Sequence, residues 1–214
     1  MTEVLTAANS LLETRCHVPK QRYVIWIDGV GAYLICLGDS VGIGGPVLGM
    51  EGADVSLLAN LSRLHATIVR SEEQYLLQPH GTTTVMGKSC YDRVLLNTNS
   101  EIGLGATVRL RFEIPMPLST TARLEFQSHH RPAMAIDGVL LFHDNCVIGP
   151  QAGSHIYCPS WSQSVVLFHK DDQFWCKTHH GLVMDGTVVS GAAPIPIGAV
   201  VTGMDVQFRI EAVD

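Results

Sequence analysis

A hydroxyl, a guanidinium and an imidazole stand within four residues at Ser62-Arg63-Leu64-His65, and His80-Gly81-Thr82-Thr83 follows further on. Two chemistries suit the first group. Serine beside histidine is the pairing of an activated nucleophile, yet no orienting carboxylate accompanies it and a strand-bordering placement offers no oxyanion hole. Hydroxyls with a guanidinium suit an anion instead, since both donate and the guanidinium adds charge. On that reading His65 is a structural histidine rather than a base, and no catalytic residue is expected.

Other candidates fall away on spacing. His129-His130 and His179-His180 are adjacent pairs, whose side chains point to opposite faces of an extended chain. The six cysteines are scattered without a C-x-x-C pair, so neither a metal nor a disulfide frame is expected. The glycines of Gly38–Gly45 lack the Gly-Lys-Ser/Thr and the helix of a phosphate-cradling loop. No cofactor is implied. A net charge of −6 argues against a nucleic-acid surface while leaving room for a small basic rim. No apolar run reaches the ~20 residues of a membrane span. Met1–Arg15 lacks the charged-then-apolar order of an export signal, and the expectation is a soluble, cytoplasmic protein.

These residues must be held by strands. Thr2 and the spacing of Val4, Ala8, Leu11 and Leu12 predict a helix within an N-terminal extension over 1–21. From Arg22 onward the chain breaks into short runs rich in Val, Ile, Leu and aromatics, bounded by Gly, Asp, Asn, Ser or Pro. Arg22–Ile27, Ala32–Leu37, His65–Arg70, Gln74–Gln78, Arg93–Asn97, Thr107–Ile114 and Ala122–Gln127 are the first seven. Many short strands with frequent turns predict an all-β fold of antiparallel sandwiches.

The chain also repeats itself. Ile27-Asp28-Gly29-Val30 returns as Ile136-Asp137-Gly138-Val139, Ile43-Gly44 as Ile148-Gly149, and Ser71-Glu72-Glu73-Gln74-Tyr75 as Lys170-Asp171-Asp172-Gln173-Phe174. His80-Gly81 is answered by His180-Gly181, Leu104-Gly105-Ala106 by Ile197-Gly198-Ala199, and Leu124-Glu125-Phe126 by Val206-Gln207-Phe208. The spacing between partners shrinks from 109 to 82 residues along the chain. That is the pattern of a duplicated domain whose second copy has lost loop residues. Two sandwiches over 22–127 and 128–214 are expected, joined at the polar Ser128–Arg131 stretch.

Across about Tyr23–Gln127 the first copy resembles a forkhead-associated (FHA) domain. The resemblance rests on Gly38–Gly45, Ala53-Asp54-Val55, Leu61–Ile68 with its Ser-Arg-x-His-Ala block, Tyr75-Leu76-Leu77 and His80–Gly87. It implies a non-catalytic module that binds phosphothreonine segments of a protein partner, a Ser/Thr kinase or its substrate. Ser62 matches the family's phosphate-contacting serine, Arg63 adds a guanidinium, and Thr82 or Thr83 falls where the family has a supporting threonine. His65 matches a buried histidine that braces the loop, beside the Ile-Gly step at Gly44. Two positions depart from the pattern. Gly45 stands where the family commonly has an arginine, and Pro79-His80-Gly81 replaces Thr-Asn-Gly, so His80 takes the place of a backbone-gripping asparagine. The second copy departs further, with Trp161 opposite Ser62 and Ser164 opposite His65. The alternative is a phosphate-independent interaction or assembly module.

Overall fold

A computed structural model of the 214-residue chain describes residues 21–47 and 52–213, so the expected N-terminal helix lies outside the described residues. Every regular element among the described residues is a strand. The first eleven are β1 (Arg22–Ile27), β2 (Gly31–Leu37), β3 (Ser40–Gly44), β4 (Val55–Ser56), β5 (Ala66–Ser71), β6 (Gln74–Pro79), β7 (Thr83–Val85), β8 (Lys88–Cys90), β9 (Val94–Leu96), β10 (Ser100–Leu104) and β11 (Val108–Glu113). The rest are β12 (Ala122–Phe126), β13 (Gly138–Phe142), β14 (Asn145–Gly149), β15 (Ile156–Tyr157), β16 (Val165–Lys170), β17 (Gln173–Lys177), β18 (Leu182–Met184), β19 (Thr187–Val189), β20 (Ala192–Ile195), β21 (Val200–Thr202) and β22 (Gln207–Ala212). The chain is all-β over this range. Among the described residues no helix is long and apolar enough to cross a membrane.

Local chemistry sets the turns. Gly29 takes φ 68° in the Asp28–Val30 link between β1 and β2, where a side chain would be strained. Asp171 and Asp172 both adopt positive φ, 52° and 56°, in the two-residue turn between β16 and β17. That is the turn geometry whose twist matches a tight hairpin, and Asp tolerates it better than most residues.

The strands assemble into three sheets. A twelve-stranded sheet runs β19-β18-β21-β22-β1-β2-β13-β12-β11-β10-β7-β8, and two five-stranded sheets run β4-β3-β5-β6-β9 and β15-β14-β16-β17-β20. The long sheet keeps its order when read backwards with each strand replaced by the one eleven places away. Its centre is a parallel pairing of β2 with β13, with Leu34 beside Val139 and Ile35 beside Leu140. The β1–β2 hairpin pairs outward with β22, while β12 pairs with both β11 and β13.

Side chains of a strand point alternately to its two faces, and here both faces are covered. Val139 and Leu141 of β13 join the core beneath the β4-β3-β5-β6-β9 sheet, with Leu34, Cys36, Ile43, Ile68, Leu77 and Phe112. Leu140 and Phe142 join the opposite core with Ile25, Ile35, Ile148, Leu167, Phe174 and Phe208. Each five-stranded sheet therefore sits on its own side of one shared sheet, and β2 and β13 serve both cores.

One charged side chain lies at the flank of the second core. Arg123 reaches Glu113 at 2.5 Å and Glu125 at 2.7 Å, and donates to the His155 carbonyl at 2.7 Å. Its side chain is 14% exposed, so the paired carboxylates are what keep the guanidinium tolerable there. The five described cysteines are free thiols. Burial pushes the Cys158 thiol up to about 12 and that of Cys176 to about 11, which keeps both protonated and unreactive at neutral pH.

Candidate functional site

The rim at one end of the first core is built around His65. The imidazole is buried, between the loop that leads into β5 and the turn that leads into β7. Its Nδ1 accepts from the Ser62 N–H at 3.3 Å, which leaves the proton on Nε2 to donate to the Thr82 carbonyl at 3.0 Å. The His65 carbonyl accepts from the N–H groups of His80 and Gly81 at 2.9 and 3.0 Å, and its own N–H donates to Ile43. One residue thus joins the Ser62 loop, the 80–83 turn and β3.

Glycines close this assembly. A Cβ on Gly81 would stand 2.6 Å from His65 Nδ1, so only glycine lets the imidazole lie against the turn. A Cβ on Gly44 would stand 2.6 Å from the Arg63 carbonyl carbon and 2.8 Å from the Ser62 oxygen. Gly45 donates to the Ser62 carbonyl at 2.9 Å, and its Cβ would fall 2.6 Å from the Leu61 oxygen. The loop at 59–62 occupies the space where a side chain at 45 would begin, and that explains glycine there.

The predicted residues divide. Ser62, Arg63, His80 and Thr82 are exposed, and Gly81 is half-buried. Among the described residues, neither the Ser62 hydroxyl nor the Arg63 guanidinium has a hydrogen-bond or ion-pair partner. Thr83 is 2% exposed and its hydroxyl donates to the Gly81 carbonyl at 3.0 Å, so it braces the turn from within. His80 Nε2 lies 2.9 Å from the Thr67 hydroxyl, which holds its ring along β5. Thr67, unremarked in the sequence, is thus the residue that orients His80; its strand register opposite Gln78 is what places it there.

Two further segments border the rim. Gly105 donates to the Thr82 carbonyl at 2.8 Å, and Thr107 Oγ1 lies 3.1 Å from His130 Nε2. The stretch between β12 and β13 runs back along β4, with Leu58 donating to Arg131 and Ala133 donating to Ser56 at 2.9 and 2.8 Å. In the second half the equivalent loop is tied to neighbouring segments through its own side chains. Gln163 Oε1 accepts from Thr178 Oγ1 at 2.6 Å and from the His180 N–H at 3.3 Å, Ser164 donates to Gln151, and Trp161 is buried against Phe208.

No protein-family model matches the sequence, and no curated protein matches it. Among solved structures the chain is similar to the N-terminal FHA domain from EssC, a component of the bacterial Type VII secretion apparatus. That likeness covers 91% of this chain and 95% of the other at 11% identity, with a TM-score of 0.24, too low to superpose the two folds.

Proposed function

We propose that the protein is a non-catalytic interaction module whose first-half rim takes a phosphorylated threonine on a protein partner, a Ser/Thr kinase or its substrate. The observation that carries this reading is the pair of donors left unengaged at positions 62 and 63, on a loop anchored by His65. A hydroxyl and a guanidinium on a rigid rim match the acceptors of a phosphate dianion. The resemblance of Leu61–Ile68 and His80–Gly87 to an FHA domain points the same way, and the free thiols suit a reducing compartment such as the cytoplasm. On this reading the chain is a tandem of two such modules over 22–127 and 128–214. The second serves as support.

Against a degenerate phosphothreonine peptide library, the protein is expected to prefer phosphorylated over unphosphorylated peptides. Ser62→Ala is expected to weaken that binding about tenfold, the worth of one charge-assisted hydrogen bond. Equal affinity for both forms of the library rejects the reading. The engagement of His80 with Thr67 and the closed space at Gly45 favour a second one, a phosphate-independent assembly surface. That alternative predicts partner capture indifferent to Ser62→Ala and to phosphatase treatment.

A further inference from the structure

Most arginines among the described residues are engaged. Arg70 pairs with Asp39, Arg123 with Glu113, Arg209 with Glu211, and Arg93 donates to Gln78. Arg109 donates to backbone carbonyls, Arg111 lies 3.9 Å from Glu113, and Arg22 is also engaged. Among the described arginines, only Arg63 and Arg131 have no side-chain hydrogen bond or ion pair.

These two lie on adjoining segments. Arg131 accepts the Leu58 N–H through its carbonyl, Leu57 donates to the Gly44 carbonyl at 2.9 Å, and Gly44 lies against the Arg63 carbonyl. The segments around the rim are poor in acids; Asp54, which adjoins them, is buried, and its carboxylate accepts from the Gly42 N–H at 2.6 Å. Residues 55–66, 80–84, 105–107 and 127–136 hold no Asp or Glu, in a chain with 20 of them and a net charge of −6. Four contiguous segments without a carboxylate, carrying both unengaged guanidinium groups, form a local positive field on an acidic protein. Such a field attracts and orients an anion.

We infer that Arg131, supplied by the stretch between β12 and β13, is a second guanidinium of the anion site at Ser62 and Arg63. The phosphorylated segment crosses the rim between the two arginines, and their two charges match the near-dianionic phosphate. This inference rests on the phosphothreonine reading above. It makes the connection between the halves part of the binding surface.

The test titrates the phosphothreonine library against wild type, Arg131→Ala, Arg131→Lys, Ser62→Ala and Arg111→Ala, with thermal unfolding recorded for each. Arg131→Ala is expected to weaken binding about tenfold and to lessen its salt dependence, with Arg131→Lys intermediate and unfolding unchanged. Arg111→Ala, which removes a charge away from the rim, is expected to stay within twofold. If Ser62→Ala lowers affinity while Arg131→Ala stays within twofold of wild type, Arg131 is outside the site and the phosphothreonine reading stands. Equal losses from Arg131→Ala and Arg111→Ala also overturn the inference, since only general attraction is then at work. A wild type without preference for phosphorylated peptides overturns both.

Discussion

Gly44→Ala is expected to destabilise the protein by about 3 kcal/mol and to abolish phosphopeptide binding in whatever remains folded. The methyl group has no flexible side chain to displace. It would meet the Arg63 carbonyl carbon at 2.6 Å and the Ser62 oxygen at 2.8 Å, both backbone. Relief requires the 62–63 loop to move away from β3, which breaks the Gly45-to-Ser62 hydrogen bond and carries both donors with it. Gly29 supplies the contrast, because a Cβ there meets nothing within 4 Å and the only cost is its positive φ. Gly29→Ala is expected to cost about 1 kcal/mol and leave binding intact. Urea unfolding and peptide titration of the two variants measure the difference. Equal stabilities would show that the loop yields without resistance.

Acid is expected to weaken the fold through His155. The residue is fully buried, its Nδ1 accepts from the Val147 N–H at 3.0 Å, and its carbonyl accepts from Arg123. Burial is the main cause that pushes its pKa down to about 4. A proton on Nδ1 would set two donors facing each other and bury a charge. The unfolded chain titrates near the ordinary value of about 6.5. Below that pH it takes up a proton that the folded chain refuses, so stability present in full above 6.5 is lost as pH falls toward 4. The loss amounts to about 3 kcal/mol over the window and stops once the folded form also protonates. Burial lowers the His169 pKa as well, and its contribution has the same sign. In urea titrations at pH 7.5, 5.5 and 4, His155→Gln is expected to flatten the profile, since the glutamine oxygen still accepts but does not titrate. A profile parallel to wild type would place the acid sensitivity elsewhere.

Strand positions were highly legible in the sequence because they are local. Arg22–Ile27 reads as a strand with the bounds it has in the structure, and the other six runs named from the sequence differ from theirs by one residue at one end or both. The matched pair at Glu72-Glu73 and Asp171-Asp172 also holds, since both close two-residue hairpins. The end blocks of the repeat do not occupy like places. Asp28-Gly29 forms the β1–β2 turn, whereas Gly138 opens β13 beside Tyr33. Leu124–Phe126 lies in β12, whereas Phe208 lies in β22, which holds the sheet position equivalent to β11. Short identical words cannot settle register when pairing partners are a hundred residues apart. The parallel contact of β2 with β13 was equally out of reach, although the unbroken apolar run Val139–Phe142 is the signature of a strand covered on both faces. At the site, Ser62, Arg63 and His65 were legible as a local motif. Arg131 was not, because only the return of its segment along β4 brings it to the rim.

Because β2 and β13 are wedged beneath both five-stranded sheets, the molecule has no seam along which it could come apart. Heat is expected to melt it in a single calorimetric transition, without a stage in which one core survives alone. A backbone cut near position 128 would leave two fragments clasped together, each holding strands that complete the other, so that denaturant rather than dilution separates them.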